Sequence, residues 1–149
     1  MSLTNLPRAG IDRIDGAGAA LKMFDLLIAR PLRDQTLALL LDREHRGISV
    51  LIVEGTCLPD SVLDVARLLA DTATGHPRLA AVVLASVRPG PVVTGSDSDS
   101  DTDSDDVDRW ADLDDQLAEA GVELVEWFVL GPGRTASCPR DLLGAPPRW

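Results

Sequence analysis

Histidine and cysteine side chains, which could bind a metal ion or act as a nucleophile, are few in this chain and far apart. The two histidines, His45 and His76, both fall in predicted turns, and neither is paired with a second ligand in the sequence. The two cysteines, Cys57 and Cys138, form neither a CxxC metal motif nor a disulfide framework. Cys57 follows the end of a predicted strand, and no histidine lies near it in the sequence to activate it. A buried, unreactive thiol is therefore the preferred interpretation of Cys57.

A run of alternating acidic and hydroxyl residues, 97–106 (DSDSDTDSDD), offers many oxygen atoms to a cation. It lacks the spaced glycine and the terminal glutamate of an EF-hand calcium loop. Its serines are flanked by acids, as in sites of acidophilic kinases. Because the run cannot bury apolar surface and its charges repel one another, we expect residues 91–106 to form a disordered acidic loop.

Composition and charge argue against several classes of function. The formal net charge is −10 and the isoelectric point about 4.4, which opposes the phosphate-neutralising surface of a nucleic-acid-binding protein. The acidic run contributes six of these charges, so the remainder is only mildly acidic. We expect no direct nucleic-acid binding. No run of 18 apolar residues predicts a membrane span, and the N-terminus lacks the apolar region of a signal peptide. A cytoplasmic location is expected.

The hydrophobic pattern predicts alternating helices and strands. Continuous apolar runs predict buried strands at 36–41, 48–53 and 79–85, the first two joined as a hairpin by the polar turn DREHRG. A strand at 122–130 and a short one at 135–138 follow. Helical spacing predicts helices at 19–30, from Asp60 or Ser61 to about residue 74, and at 107–121. This order indicates the α/β (layered α+β) class, with a mixed β-sheet flanked by helices.

The length of 149 residues fits one domain. Residues 1–18, interrupted by proline and glycine, are predicted to be a flexible N-terminal arm. Residues 19–141 form the predicted domain, and residues 142–149 a peripheral C-terminal tail.

Several strings of this domain resemble the RadC branch of the JAB/MPN (JAMM) metalloprotease family. They are LALLLDREHRGISVLIVEGT (37–56), AAVVLASVRPG (80–90), LAEAGVELVEWFVLGPG (117–133) and GRTASCPRDL (133–142). Their order and spacing carry the resemblance over roughly residues 31–141. The resemblance implies a JAB/MPN, cytidine-deaminase-like architecture.

In that family two histidines and an aspartate hold a zinc ion, and a glutamate acts as base towards the bound water. The resemblance places the two histidine positions at Ser86 and Arg88. It places the aspartate position at Asp108, or at Asp106 if the loop is aligned differently. The base position falls on Asp34, with Gln35 as the adjacent option.

With these replacements we expect no zinc hydrolysis by the family mechanism. Neutral serine is a poor zinc ligand, and arginine remains protonated and cannot be one. We therefore expect no bound metal and no cofactor, although active relatives use zinc. The Arg88 guanidinium could instead pair with Asp108 and Asp34 across the vacant pocket. A solvent-exposed loop arginine is the alternative.

The resemblance thus implies a non-catalytic RadC/JAB-like protein, a pseudoenzyme with a protein-interaction or scaffold role. Its protein partner is unidentified, and a homo-oligomer is possible. One alternative is a divergent zinc-dependent hydrolase that uses other ligands. The other is a DNA-repair-associated protein, by analogy with the label traditionally given to RadC relatives.

Overall fold

The computed structural model describes residues 13–14, 16–28, 33–56, 58, 60–88, 99–131, 136–144 and 148–149. Within these ranges the elements are α1 (Ala17–Leu27), β1 (Gln35–Leu41), β2 (Gly47–Glu54), α2 (Ser61–Thr74), β3 (Ala81–Val87), α3 (Asp99–Glu119), β4 (Glu123–Leu130), β5 (Ala136–Ser137) and the 3₁₀ helix Pro139–Leu143. None of the helices so described is long and apolar enough to cross a membrane.

The strands form one mixed sheet in the order β2-β1-β3-β4-β5. β1 pairs antiparallel with both β2 and β3, β3 pairs parallel with β4, and the short β5 pairs antiparallel with β4. α3 makes the crossover between the parallel strands β3 and β4, as parallel pairing requires. The structure therefore confirms the α/β class and the mixed sheet flanked by helices.

Helices cover both faces of the sheet, so the inner strands are buried on both sides. All seven residues of β3 are buried, in keeping with its continuous apolar run and its central position. One face packs against α2 and α3 through side chains that include Leu69, Leu113 and Trp127. The other packs against α1, with Phe24 and Phe128 in edge-to-face contact at 6.4 Å between ring centroids.

A β-bulge at Val125 decides which side chains of β4 face which helices. The pairing with β3 passes from Val82↔Leu124 to Val83↔Glu126, so Val125 is an additional residue in β4. Leu124 and Trp127, three positions apart, therefore both face α2 and α3. Regular alternation would have placed them on opposite faces.

The structure differs from the prediction of a flexible arm over residues 1–18. Ile14 is fully buried in the core between α1 and the sheet. The backbone of Arg13 forms an isolated antiparallel β-bridge with that of Arg46, and α1 already begins at Ala17. Ile14 is held in place because its side chain packs in the core beneath α1. Residues 1–12 lie outside the described residues.

The predicted acidic loop and C-terminal tail also differ from what is observed. α3 begins at Asp99, eight residues before the expected start at Val107, so residues 99–106 are helical. Acidic residues are favourable in the first turn of a helix, where their negative charge is attracted to the positive end of the helix dipole. Residues 91–98 lie outside the described ranges. In the tail, Arg148 pairs with Asp114 and Trp149 packs on the α1 face, so these two residues are not peripheral.

Candidate functional site

Among the described residues, the most extensive cluster of interacting charges lies where β3 ends and α3 packs across the sheet. Arg88 follows β3 directly, and its backbone N–H donates to the carbonyl of Leu130 at 2.8 Å. Its Nη1 and Nη2 donate to Oδ2 and Oδ1 of Asp106, at 2.9 and 3.0 Å. The guanidinium carbon also lies 5.9 Å from the centroid of the Trp127 ring. This is a two-point, charge-assisted ion pair set beside an aromatic ring.

Asp106 is shared by a second arginine. Nη1 of Arg109, one helical turn further along α3, donates to Oδ1 of Asp106 at 2.9 Å. Nε of Arg109 donates to Oδ1 of Asp60 at 2.7 Å, at the start of α2. Burial alone would lower the pKa of Arg109, but its hydrogen bonds to Asp60 and Asp106 outweigh burial and raise that pKa. The four side chains form a neutral network that ties β3 to both helices.

Ser86, two residues before Arg88, is also hydrogen-bonded to another side chain. Its hydroxyl accepts a hydrogen bond of 2.9 Å from Nε1 of Trp127, and both side chains are buried. Ser86 lies opposite Thr36 of β1 in register. The hydroxyl of Thr36 is hydrogen-bonded to that of Thr56 at 3.0 Å. At this end of the sheet, the hydroxyl and indole groups are therefore hydrogen-bonded to one another.

The structure brings together some of the predicted site residues and separates others. Ser86 and Arg88 lie at the end of β3, as expected. Neither interpretation of Arg88 describes what is observed. Both of its terminal nitrogens are engaged by Asp106, not by Asp108 or Asp34, and its side chain is 25% exposed and not a free loop arginine. Asp108 is exposed on α3. Asp34 precedes β1, where its carbonyl accepts the N–H of Gly55 at 2.9 Å.

Helix geometry explains why Asp106 and not Asp108 points to the sheet. Two positions along a helix turn a side chain by about 200°, onto nearly the opposite face. Asp106 precedes Trp110 by four residues and Leu113 by seven, and all three are buried. The same spacing in the sequence could have identified Asp106 as the inward-facing acid.

Across the ranges that the structure describes, no three His, Cys, Asp or Glu side chains are grouped so that they could share a metal ion. Nε2 of His45 lies 3.4 Å from a carboxylate oxygen of Glu123. His76 is exposed just after α2. Cys57 and its suggested burial lie outside the described residues.

A buried ion pair that the sequence did not indicate joins β4 to the 3₁₀ helix. Nε and Nη2 of Arg140 donate to Oε2 of Glu126, at 2.9 and 2.6 Å. The side chains are 7% and 2% exposed. The hydrogen bond to Glu126 raises the pKa of Arg140 despite burial. Burial raises the pKa of the neighbouring Cys138 thiol to about 12, and Glu126 and Asp141 add to that rise. Such a thiol is protonated and a poor nucleophile at neutral pH.

No model of a known protein family matches the chain, and a search of curated proteins gives no significant match.

Proposed function

We propose that the chain is a degenerate JAB/MPN-like domain of the RadC type that acts through protein contacts and not through zinc-dependent hydrolysis. The observation that carries this proposal is the two-point ion pair between Arg88 and Asp106. The resemblance to RadC would place one histidine ligand at Arg88 and allows the aspartate ligand at Asp106. In this chain a fixed cation is bound to that carboxylate.

Electrostatics supports a structural role for this pair. Arginine carries a permanent positive charge in proteins. A Zn²⁺ ion would have to displace Arg88 from both oxygens and would then be repelled by it. Ser86, at the other histidine position, offers a neutral hydroxyl that already accepts from Trp127.

The fold offers further support. The order of helices and strands on which the resemblance rests is present, from the hairpin β1–β2 through α2, β3 and α3 to β4. The JAB/MPN architecture itself is part of the proposal.

A role in protein contacts is supported by the surface beside this sheet. β2 is an edge strand, and edge strands can pair with another chain. Ile52 of β2, Leu58 and Leu68 are exposed apolar side chains. The first partner to test is a second copy of the chain.

Zinc binding tests the non-catalytic half of the proposal. Elemental analysis of the purified protein, with zinc titration against a chromophoric chelator, should find no stoichiometric tightly held zinc. The double variant Ser86→His/Arg88→His should gain zinc affinity, because it restores the two imidazoles beside Asp106. Stoichiometric zinc in the natural protein, lost on Asp106→Asn, would favour the divergent hydrolase instead.

Association tests the other half. Sedimentation velocity over a range of concentrations should reveal self-association, or cross-linking in cell extract should yield a reproducible protein partner. Ile52→Asp should weaken the contact, whereas Lys22→Asp, a charge change on the exposed side of α1, should not. A chain that stays monomeric and cross-links to nothing contradicts the proposal. Salt-dependent affinity for duplex DNA would favour the DNA-repair alternative.

A further inference from the structure

Three arginine side chains line a depression at the end of the sheet opposite Arg88. The depression is open to solvent, has a volume of about 320 Å³, and lies between the turn that joins β1 to β2 and the connection from α2 to β3. We call it the arginine pocket, and it is lined by Asp42, Arg43, Glu44, Arg46, Pro77 and Arg78. Three of its six lining side chains are thus arginines, in a chain whose net charge is −10.

The backbone that carries these arginines is fixed by its own hydrogen bonds. Oδ1 of the buried Asp42 accepts the N–H groups of Glu44 and Arg46, both at 2.9 Å. His45 takes a left-handed conformation with φ of 61°, which closes the turn. On the other side, the N–H of Ala80 donates to the carbonyl of Leu41 at 2.9 Å. The backbone that carries the arginines is therefore fixed before a ligand binds, so the entropic cost of binding falls on the arginine side chains.

The charges of the pocket arginines are not neutralised as they are elsewhere in the protein. Arg88, Arg109, Arg140 and Arg148 all pair with carboxylates. Within the described part of the chain, the guanidinium groups of Arg43, Arg46 and Arg78 make no hydrogen bond or ion pair, although Asp42 and Glu44 stand beside them. The lining carries three arginines against two carboxylates, so an anion that binds there meets an excess of positive charge.

We propose that the arginine pocket binds a small anion that carries a phosphate group. Guanidinium forks match the oxygens of phosphate, and a phosphate dianion can accept from several arginines at once. The volume lies at the lower end of the range for small-molecule sites, roughly 300–1,000 Å³. A long polyanion is disfavoured because the rest of the chain is acidic.

This site is independent of the role proposed above. β3 begins beside the arginine pocket, and Arg88 follows its last residue. The seven residues of β3 span about 20 Å. Binding at one end and the ion-pair network at the other can therefore be tested separately.

Titration of the ¹⁵N-labelled protein, followed by amide chemical shifts at constant ionic strength, tests the site. The probes are inorganic phosphate and glycerol 3-phosphate, with sodium chloride as reference. We expect saturable shifts centred on residues 42–46 and 76–80 with at least one phosphate probe. Tighter binding of glycerol 3-phosphate assigns the ligand as a phosphate monoester, and tighter binding of inorganic phosphate assigns it as free phosphate.

Substitutions in the pocket test where phosphate binds and can contradict the proposal. Arg43→Gln and Arg78→Gln change exposed side chains, so the fold should persist, and each should weaken phosphate binding about tenfold. Arg67→Gln, an exposed arginine of α2 outside the pocket, should leave the affinity unchanged. The proposal is overturned if chloride produces the same shifts as phosphate, or if Arg43→Gln and Arg78→Gln both bind phosphate like the natural protein.

Discussion

Arg88 at the end of β3 holds both carboxylate oxygens of Asp106 on α3, at 2.9 and 3.0 Å. The two residues are 18 positions apart in the sequence. Their pairing fixes the N-terminal half of the crossover helix to the central strand, at the place where the resemblance to RadC would put a metal ion. Arg109 supports the pair from the other side, and through Asp60 it extends the network to α2.

We expect Arg88→Ala to lower the free energy of unfolding by about 1–2 kcal/mol, as measured by urea denaturation. The value lies below that of a fully buried pair because Arg88 is 25% exposed and Asp106 keeps Arg109. Arg88→Lys should lose less, since it keeps the charge but not the two-point geometry. Arg67→Ala, whose ion pair with Asp64 is exposed, should change stability by less than about 0.5 kcal/mol. An Arg88→Ala protein as stable as the natural one would show that the pair has no structural role.

Ser86→Ala should cost about 1–3 kcal/mol, because it leaves the buried Nε1 of Trp127 without its acceptor. A double-mutant cycle with Trp127→Phe isolates the hydrogen bond from the loss of ring volume. In the Trp127→Phe background, Ser86→Ala should cost clearly less than in the natural protein. Equal costs in the two backgrounds would mean that the hydrogen bond contributes nothing.

Arg140→Leu should be the most destabilising of these changes, by about 3–5 kcal/mol, because it leaves the charge of Glu126 buried without its partner. The double variant Glu126→Leu/Arg140→Leu should recover much of the loss, since apolar side chains of similar size remove both charges. The exposed pair Arg33–Glu54 provides the control: its N–O distance is 3.0 Å, but its side chains are 62% and 52% exposed. Arg33→Ala should cost at most about 1 kcal/mol. Equal losses for the two arginine variants would show that burial does not set the strength of these pairs.

Cys138 should make stability fall at alkaline pH. Burial raises its pKa from 9.0 to about 12, so between these values the folded state holds a proton that the unfolded state has released. Its contribution is complete below pH 9 and is lost as pH rises towards 12. The chain has no tyrosine and only Lys22 as a lysine, so few other side chains titrate in this interval. Denaturation measured from pH 8 to 11 should therefore show a decline that Cys138→Ala reduces. A decline of the same size in both proteins would contradict the assignment.

Much of the layer structure could be predicted because apolar periodicity is a local property of the chain. The continuous runs that form β1 and β3 and the spacing of Trp110, Leu113 and Leu117 on α3 all indicated their elements and buried faces correctly. The predicted start of α3 is wrong because low hydrophobicity and repelling charges predict disorder for residues that are helical. The acidic residues of its first turns nevertheless suit a helix N-terminus, and Asp106 is held by two arginines.

The apolar pattern of the chain specifies the order of the elements, the central burial of β3 and the position of Ser86 and Arg88 at its end. Which side chains become partners depends on how the elements pack together. Asp106 and not Asp108 meets Arg88 because the helix rotates the two acids apart. Trp127 reaches Ser86 because the bulge at Val125 shifts the alternation of β4 by one residue. The Glu126–Arg140 pair and the arginine pocket depend on contacts between separate elements. A local pattern in the sequence does not tell which distant side chains will lie next to one another in the folded protein.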